Sequence, residues 1–218
     1  MIDFDGLLKR IVQDNPFEKC NGTVEFSENN MVFGMTLPRE AWCIKKMDSK
    51  FQTFKNALRK RTCADAVVWI PTDSGRWILH IIEIKGTITR FSNNTSWEHI
   101  KRQFVGAYRL CRMVAVALDI AFEHVIFYTA FVNDDDIASQ SVDFADTDDT
   151  EDPSIILPDR DMADDMPSPR IEWASGKCRL DDSGWSHNYT DKEHTHIRIK
   201  LAELPDGTFV STFPCHQT

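Results

Sequence analysis

The chain has 218 residues, of which 42% are hydrophobic, and a formal net charge of −9. This length and composition are enough to bury a substantial core, and we expect a single domain over residues 1–218. No apolar run reaches membrane-spanning length, and the first residues lack a basic, apolar signal peptide. These features exclude a membrane-embedded protein and predict a cytoplasmic location.

The first strands in chain order are predicted at residues 23–27 and 31–35, as a hairpin around Glu28-Asn29-Asn30. A second hairpin follows, with apolar strands at 64–70 and 79–86. Its turn contains Asp-Ser-Gly at 73–75, which fits a three-residue loop ending in a left-handed glycine. With that turn, the residue numbers of cross-strand partners sum to 148.

This register brings charged residues together at the open end of the second hairpin. It places Asp65 opposite Glu83, and the alternation of strand side chains puts Lys85 on the same face. Directly opposed carboxylates destabilise a hairpin unless a cation lies between them. A hard divalent metal ion is the cation that we expect.

The alternative is that Glu83 and Lys85 belong to the polar face of a half-exposed strand. The rest of that strand is apolar on both faces, which is typical of a strand in the middle of a sheet. Buried carboxylates need an ionic partner or a metal. The burial of the strand therefore favours a functional site over a solvated surface.

An Asp, a spacer and a Glu-x-Lys on the next strand, followed by a helix with a Gln, resemble the PD-(D/E)xK superfamily of restriction-endonuclease-like nucleases. The resemblance covers about residues 45–132, and Ala64 stands where the family often has a proline before Asp65. It implies an α/β fold with a restriction-endonuclease-like mixed β-sheet core flanked by helices. To this the sequence adds a C-terminal β-hairpin, predicted from strands at 196–201 and 208–213 around Pro-Asp-Gly.

The resemblance also implies a nuclease, specifically a Mg²⁺- or Mn²⁺-dependent endonuclease that hydrolyses phosphodiester bonds. Asp65, Glu83 and the backbone carbonyl of Ile84 would be the metal ligands, since these ions prefer oxygen donors. The metal would activate water and stabilise the charge growing on the phosphate. Lys85 would orient or deprotonate the attacking water.

An additional acidic residue often completes such sites. Glu40 is the first choice, near the start of a segment opened by Pro38, and Asp48 and Glu25 are the alternatives.

A long helix is predicted from Trp97, followed by a buried strand at 123–132. The apolar stripe of this helix comprises Ile100, Phe104, Ala107, Cys111, Val114 and Leu118. The resemblance implies that Gln103, at the edge of the stripe, lies beside the metal as a supporting catalytic residue. The cations off the stripe are Lys101, Arg102, Arg109 and Arg112. They form either a solvated face or a nucleic-acid-binding surface that contacts phosphates.

The acidity of the chain is local. Residues 133–166 contain thirteen Asp or Glu against Arg160 alone, a net −12, so the rest of the chain carries +3. We interpret residues 134–168 as an acidic insertion or flexible loop. The expected partner is nucleic acid, DNA ahead of RNA, and the acidic segment could also mediate a homodimer or bind another protein. The rival function is a non-enzymatic regulatory protein whose acidic segment mimics phosphate on a nuclease-like fold.

Overall fold

The computed structural model describes residues 17–47, 62–89, 95–138, 169–180 and 193–215. Most of the predicted acidic insertion, from residue 139 to 168, and the alternative ligand Asp48 lie outside these ranges. Within them the structure is mixed α/β with two mixed sheets, in agreement with the expected class. In chain order the elements are β1 (Glu18–Cys20), β2 (Thr23–Glu28), β3 (Met31–Thr36), β4 (Ala41–Lys45), β5 (Ala66–Pro71), β6 (Trp77–Thr87), α1 (Trp97–Ala117), β7 (Phe122–Asn133), α2 (Asp135–Ala138), α3 (Pro169–Ser175), β8 (Lys177–Arg179), β9 (Glu193–Lys200), β10 (Ala202–Glu203) and β11 (Phe209–Pro214).

The larger sheet has seven strands in the order β1-β4-β5-β6-β7-β9-β8. Its centre is the predicted second hairpin, β5 and β6, which pair antiparallel, while β7 pairs parallel to β6. Helix α1 makes the crossover between β6 and β7, as parallel neighbours require. The apolar stripe predicted on this helix is buried along its whole length.

The two faces of the larger sheet are covered differently. Val67, Trp69 and Ile81 point to one face and pack with residues of the helices. Val68 and Ile82 point to the other face and pack against the smaller sheet, whose strand order is β10-β11-β3-β2. The expectation of a sheet flanked by helices is therefore met on one face only in the described part of the chain. The apolar alternation on both sides of β5 and β6 reflects this double burial.

The C-terminal hairpin is much shorter than predicted. The first of its two predicted strands, β9, instead joins the larger sheet, parallel to β7. Only the two residues of β10 pair antiparallel with β11, around a turn in which Gly207 has φ 79°. Strand β11 then runs parallel to β3, with Phe209 opposite Met31. The chain thus changes sheets at Leu201, so its last described strands tie the two sheets together.

No helix among the described residues is both long enough and apolar enough to span a bilayer.

Candidate metal centre

The β5–β6 hairpin has the predicted register and turn. Val67 lies opposite Ile81, so partner numbers sum to 148 as expected. The Thr72 amide donates to the Arg76 carbonyl at 2.9 Å, and Gly75 has φ 78°. Local turn chemistry therefore fixes which residues meet at the open end of the hairpin.

Asp65 and Glu83 are interlocked at that open end. Asp65 lies one residue before β5, where its backbone amide donates to Glu83 Oε2 at 3.2 Å. In return, Asp65 Oδ2 accepts a hydrogen bond of 2.7 Å from the amide of Ile84. The two predicted carboxylates thus converge, each on the backbone of the other strand. Because amide and carbonyl of one strand residue point to the same side, the Ile84 carbonyl also points toward Asp65.

Burial sets the electrostatics of Glu83. Its side chain has no solvent-accessible surface, and Lys85 Nζ forms an ion pair with Glu83 Oε1. Burial and the charge of Asp65 raise the pKa of Glu83 well above its ordinary value, despite the opposing effect of Lys85. A cation shared by the two carboxylates would remove this repulsion.

Lys85 is mostly buried, with 18% of its side chain exposed. Burial lowers its pKa, but the neighbouring carboxylates, with Glu83 the strongest, outweigh burial, and the net pKa is raised. Lys85 is therefore an ammonium at neutral pH, able to donate hydrogen bonds and to offset negative charge.

Helix α1 brings Gln103 close to the chain that leads into Asp65. Gln103 Nε2 donates to the Cys63 carbonyl at 3.4 Å, while its buried Oε1 has no hydrogen-bond partner among the described residues. The helix approaches closely here because residue 106 is glycine. A Cβ at Gly106 would lie 2.0 Å from the Thr62 carbonyl oxygen. Cys63 lies two residues before Asp65, so this hydrogen bond brings Gln103 near the predicted metal ligand, and its supporting catalytic role stays a prediction.

His99 is a neighbour of the site that sequence reasoning missed. Burial lowers the pKa of His99, and the charges of Lys85 and Arg102 lower it further, which places its ring within electrostatic reach of Lys85. His99 lies four residues before Gln103, so both occupy one face of α1. The four-residue spacing between His99 and Gln103 is the sequence signal that could have identified His99.

Glu40, the first choice for the additional acid, is not brought to the site. It precedes β4 and forms an ion pair with Lys19 at 2.8 Å, with about half of its side chain exposed. Asp65 lies beyond the other end of β4, where Lys45 pairs with Ala66. Five strand residues span roughly 16 Å at about 3.3 Å each, which is too far to share a cation.

Glu25, one of the alternatives to Glu40, is closer. Together with Glu28 it lines a cavity of about 390 Å³ that Asp65 and Ile84 also line. The charge of Glu28 also contributes to the raised pKa of Lys85. The acidic residues that share this cavity with Asp65 in the described structure therefore come from the smaller sheet rather than from a helix.

Two of the four cations predicted to bind phosphate are not on the surface. Lys101 is buried, with Nζ 2.7 Å from Glu172 and 2.8 Å from Glu98, and Arg109 is also buried. Their expected contact with a nucleic-acid backbone is therefore wrong, because each lies inside the protein. Arg102 is exposed and Arg112 is partly exposed, so burial does not speak against a role for these two.

The donor set fits a magnesium-like ion only with water completing the coordination. No group of three or more His, Cys, Asp or Glu side chains among the described residues is arranged to hold a metal. Mg²⁺ commonly uses one or two carboxylates and keeps several waters, which two carboxylates and a backbone carbonyl would satisfy. Comparisons with protein-family models, curated proteins and solved structures found no match to this chain.

Proposed function

We propose that this chain is a Mg²⁺- or Mn²⁺-dependent nuclease of restriction-endonuclease-like type, hydrolysing phosphodiester bonds of nucleic acid, with DNA ahead of RNA. The observation that carries the proposal is the interlock of Asp65 with a fully buried Glu83 whose other oxygen contacts Lys85. Perturbed carboxylates at the end of buried strands are common in catalytic sites.

The proposed ligands are Asp65, Glu83 and the carbonyl of Ile84. A divalent ion held by them would supply Lewis-acid stabilisation of the phosphate and a more acidic water. Metal and proton compete for Glu83, because burial and Asp65 raise its pKa. Metal affinity should therefore increase with pH.

We assign Lys85 the role of stabilising negative charge rather than the role of a general base. Because its pKa is raised, the charged form persists at neutral pH, and a charged ammonium has no lone pair with which to take a proton. It would donate to a phosphate oxygen as the water oxygen bonds to phosphorus and the ester P–O bond breaks, with the water proton passing to solvent and the leaving oxygen taking a proton from solvent.

Gln103 is assigned a supporting role. Its buried Oε1 lacks a hydrogen-bond donor among the described residues, and such acceptors usually bind an ordered water. Oε1 would hold a water between α1 and the two carboxylates. His99, on the same face of the helix, would border that water or the substrate phosphate.

The test is hydrolysis of labelled single-stranded and duplex DNA and RNA in Mg²⁺, Mn²⁺ or EDTA. We expect metal-dependent cleavage that falls at least about a hundredfold in Asp65→Asn, Glu83→Gln and Lys85→Met, as for removal of one preorganised charge-stabilising group. Glu123→Gln is the matched control. Glu123 belongs to β7 and accepts hydrogen bonds from Thr72 and Ser74 in the β5–β6 turn, at the opposite end of the hairpin from Asp65.

The absence of metal-dependent hydrolysis on every substrate would reject the nuclease. So would unchanged cleavage in the Asp65, Glu83 and Lys85 variants when they remain folded. The first result would leave the regulatory, phosphate-mimicking protein as the better account.

A further inference from the structure

The cavity beside Asp65 has a composition unlike the rest of the site. Besides the carboxylates of Glu25 and Glu28, it is lined by Lys45 and Lys46. Its volume of about 390 Å³ lies within the range of small-ligand pockets, roughly 300–1,000 Å³. A ligand in this cavity would contact Asp65 directly.

Two consecutive lysines line one cavity because β4 ends between them, at Lys45. Successive side chains of a regular strand point to opposite faces, so Lys45 and Lys46 would normally diverge. Lys45 pairs with Ala66, but it is the Met47 amide, not that of Lys46, that donates to the Asp65 carbonyl, at 3.2 Å. Lys46 thus lies just beyond the end of β4, where the chain leaves its regular pairing with β5.

The backbone of Lys46 adopts a strained, left-handed conformation. Its φ is 56°, the left-handed region that a residue with a long side chain rarely occupies. A left-handed residue of this kind persists only where the surrounding structure enforces it, and such residues cluster at functional sites. Here the left-handed turn at Lys46 brings a second lysine to the cavity that Asp65 lines.

The cations of α1 do not line this cavity. Lys101 and Arg109 are buried, and Arg102 and Arg112 are not among the residues that line it. Lys46 is exposed, and Lys45 has 38% of its side chain accessible, with Glu18 4.0 Å away. These two lysines are therefore the cations that share a ligand-sized space with the candidate metal ligands.

We propose that this cavity is a subsite for one unpaired nucleotide next to the scissile phosphate, with Lys45 and Lys46 on its phosphate and Glu25 or Glu28 accepting from its base. The proposal rests on the proposed nuclease function, and it adds a substrate class. A base pair within a duplex cannot enter a cavity of this size, so the substrate strand must be single or locally unpaired. Carboxylates at the base edge are able to accept from exocyclic amino groups.

The test is equilibrium binding of a fluorescein-labelled DNA single strand, and of the same sequence as a duplex, to the full chain in EDTA across a range of salt. We expect Lys45→Gln and Lys46→Asn each to weaken single-strand binding about three- to tenfold. Each should also lower the slope of log K against log salt by about 0.7, the value for one phosphate contact on a single strand. Duplex binding should change little.

Control variants separate charge from folding. Asn tolerates the left-handed region and Gly prefers it, so Lys46→Asn and Lys46→Gly should weaken binding equally although they differ in backbone strain. Lys19→Gln removes a lysine ion-paired with Glu40, at the other end of β4 from Asp65, and should leave binding unchanged. Melting temperatures of all variants show whether each is folded.

Unchanged affinity and salt slope in folded Lys45 and Lys46 variants would overturn the subsite, even if Asp65, Glu83 and Lys85 prove essential for hydrolysis. An equal loss of affinity for the single strand and the duplex would also overturn the subsite, because that result would indicate a general phosphate-binding surface. Selective loss of single-strand binding in a chain without hydrolytic activity would retain the subsite and reject the nuclease.

Discussion

Two Lys–Glu pairs lie in the interior of the described part of the chain, and their surroundings differ. In the first, Glu172 accepts from Lys101 Nζ at 2.7 Å, from Trp97 Nε1 at 3.1 Å and from the backbone amide of Arg179. The second carboxylate on Lys101, Glu98, is half exposed and so remains hydrated. Every charge of this first pair is therefore matched by donors or by water, as a buried pair requires to be stable.

The second pair, Glu83 with Lys85, has a carboxylate added beside it. Asp65 is close enough that its charge helps to raise the pKa of Glu83. Burial of the Glu83 side chain prevents water from screening this repulsion. The comparison suggests that a balanced buried pair supports the fold, whereas a pair with surplus negative charge is arranged for a cation supplied from outside.

The largest expected contrast concerns folding stability without metal. Lys101→Met leaves Glu172 buried without its ammonium and should lower the free energy of unfolding by about 3–5 kcal/mol. Glu83→Gln relieves repulsion with Asp65 and should leave stability unchanged or higher. Urea unfolding of both variants in EDTA measures the difference. Equal destabilisation by the two would mean that both pairs are structural.

A smaller difference in stability between the parent and Glu83→Gln should appear when Mn²⁺ is added. An ion that binds only the folded protein stabilises it by about 2.7 kcal/mol at one hundred times its dissociation constant. We expect this gain in the parent and in a Glu123→Gln control, and its loss in Glu83→Gln. Melting temperatures titrated with MnCl₂ provide the measurement. A gain that survives in Glu83→Gln would place the ion elsewhere.

The pH dependence of stability gives the smallest effect. Because the pKa of Glu83 is raised in the folded state, the folded protein holds this proton more tightly than the unfolded chain. Stability from Glu83 is therefore complete below the ordinary glutamate pKa and is lost as pH rises through the folded value, by at most about 1.4 kcal/mol per pH unit. In EDTA, the free energy of unfolding of Glu83→Gln should therefore increase relative to that of the parent as pH rises from the ordinary glutamate pKa through the folded value.

The buried His196 contributes the opposite pH dependence to folding stability. Burial, assisted by Arg198, lowers its pKa to about 3, so its contribution is lost as pH falls below about 6.5. It is present in both the parent and Glu83→Gln and should cancel in their difference. Chemical denaturation at intervals from pH 4.5 to 8 provides the test. A stability difference that does not change with pH would contradict the assignment to Glu83.

Sequence reasoning succeeded where local chemistry sets the structure. The Asp-Ser-Gly turn determined the register, and the register determined that Asp65, Glu83 and Lys85 meet. The helix that carries Gln103 was equally readable, because its apolar period of three to four residues depends only on nearby positions.

The errors come from interactions distant in sequence. The partner of Lys101 is Glu172, 71 residues away, so a cation off the apolar stripe looked solvated but is buried. Glu40 was favoured from the order of residues, yet the additional acidic side chains near Asp65 come from β2 of the smaller sheet. The left-handed conformation of Lys46 occurs where the Met47 amide donates to the Asp65 carbonyl, and no glycine or asparagine marks this position in the sequence.

The exchange of the chain between sheets at Leu201 has a consequence for biosynthesis. Strand β2, which carries Glu25 and Glu28 to the cavity, pairs with β3, and a lone two-stranded hairpin is marginally stable in water. Their parallel neighbour β11 begins at Phe209, opposite Met31, so it leaves the ribosome almost 180 residues later. Such distant pairing folds slowly. A ribosome-bound chain that already contains Asp65, Glu83 and Lys85 would therefore lack a finished cavity, and the site would mature only after β11 has been synthesised.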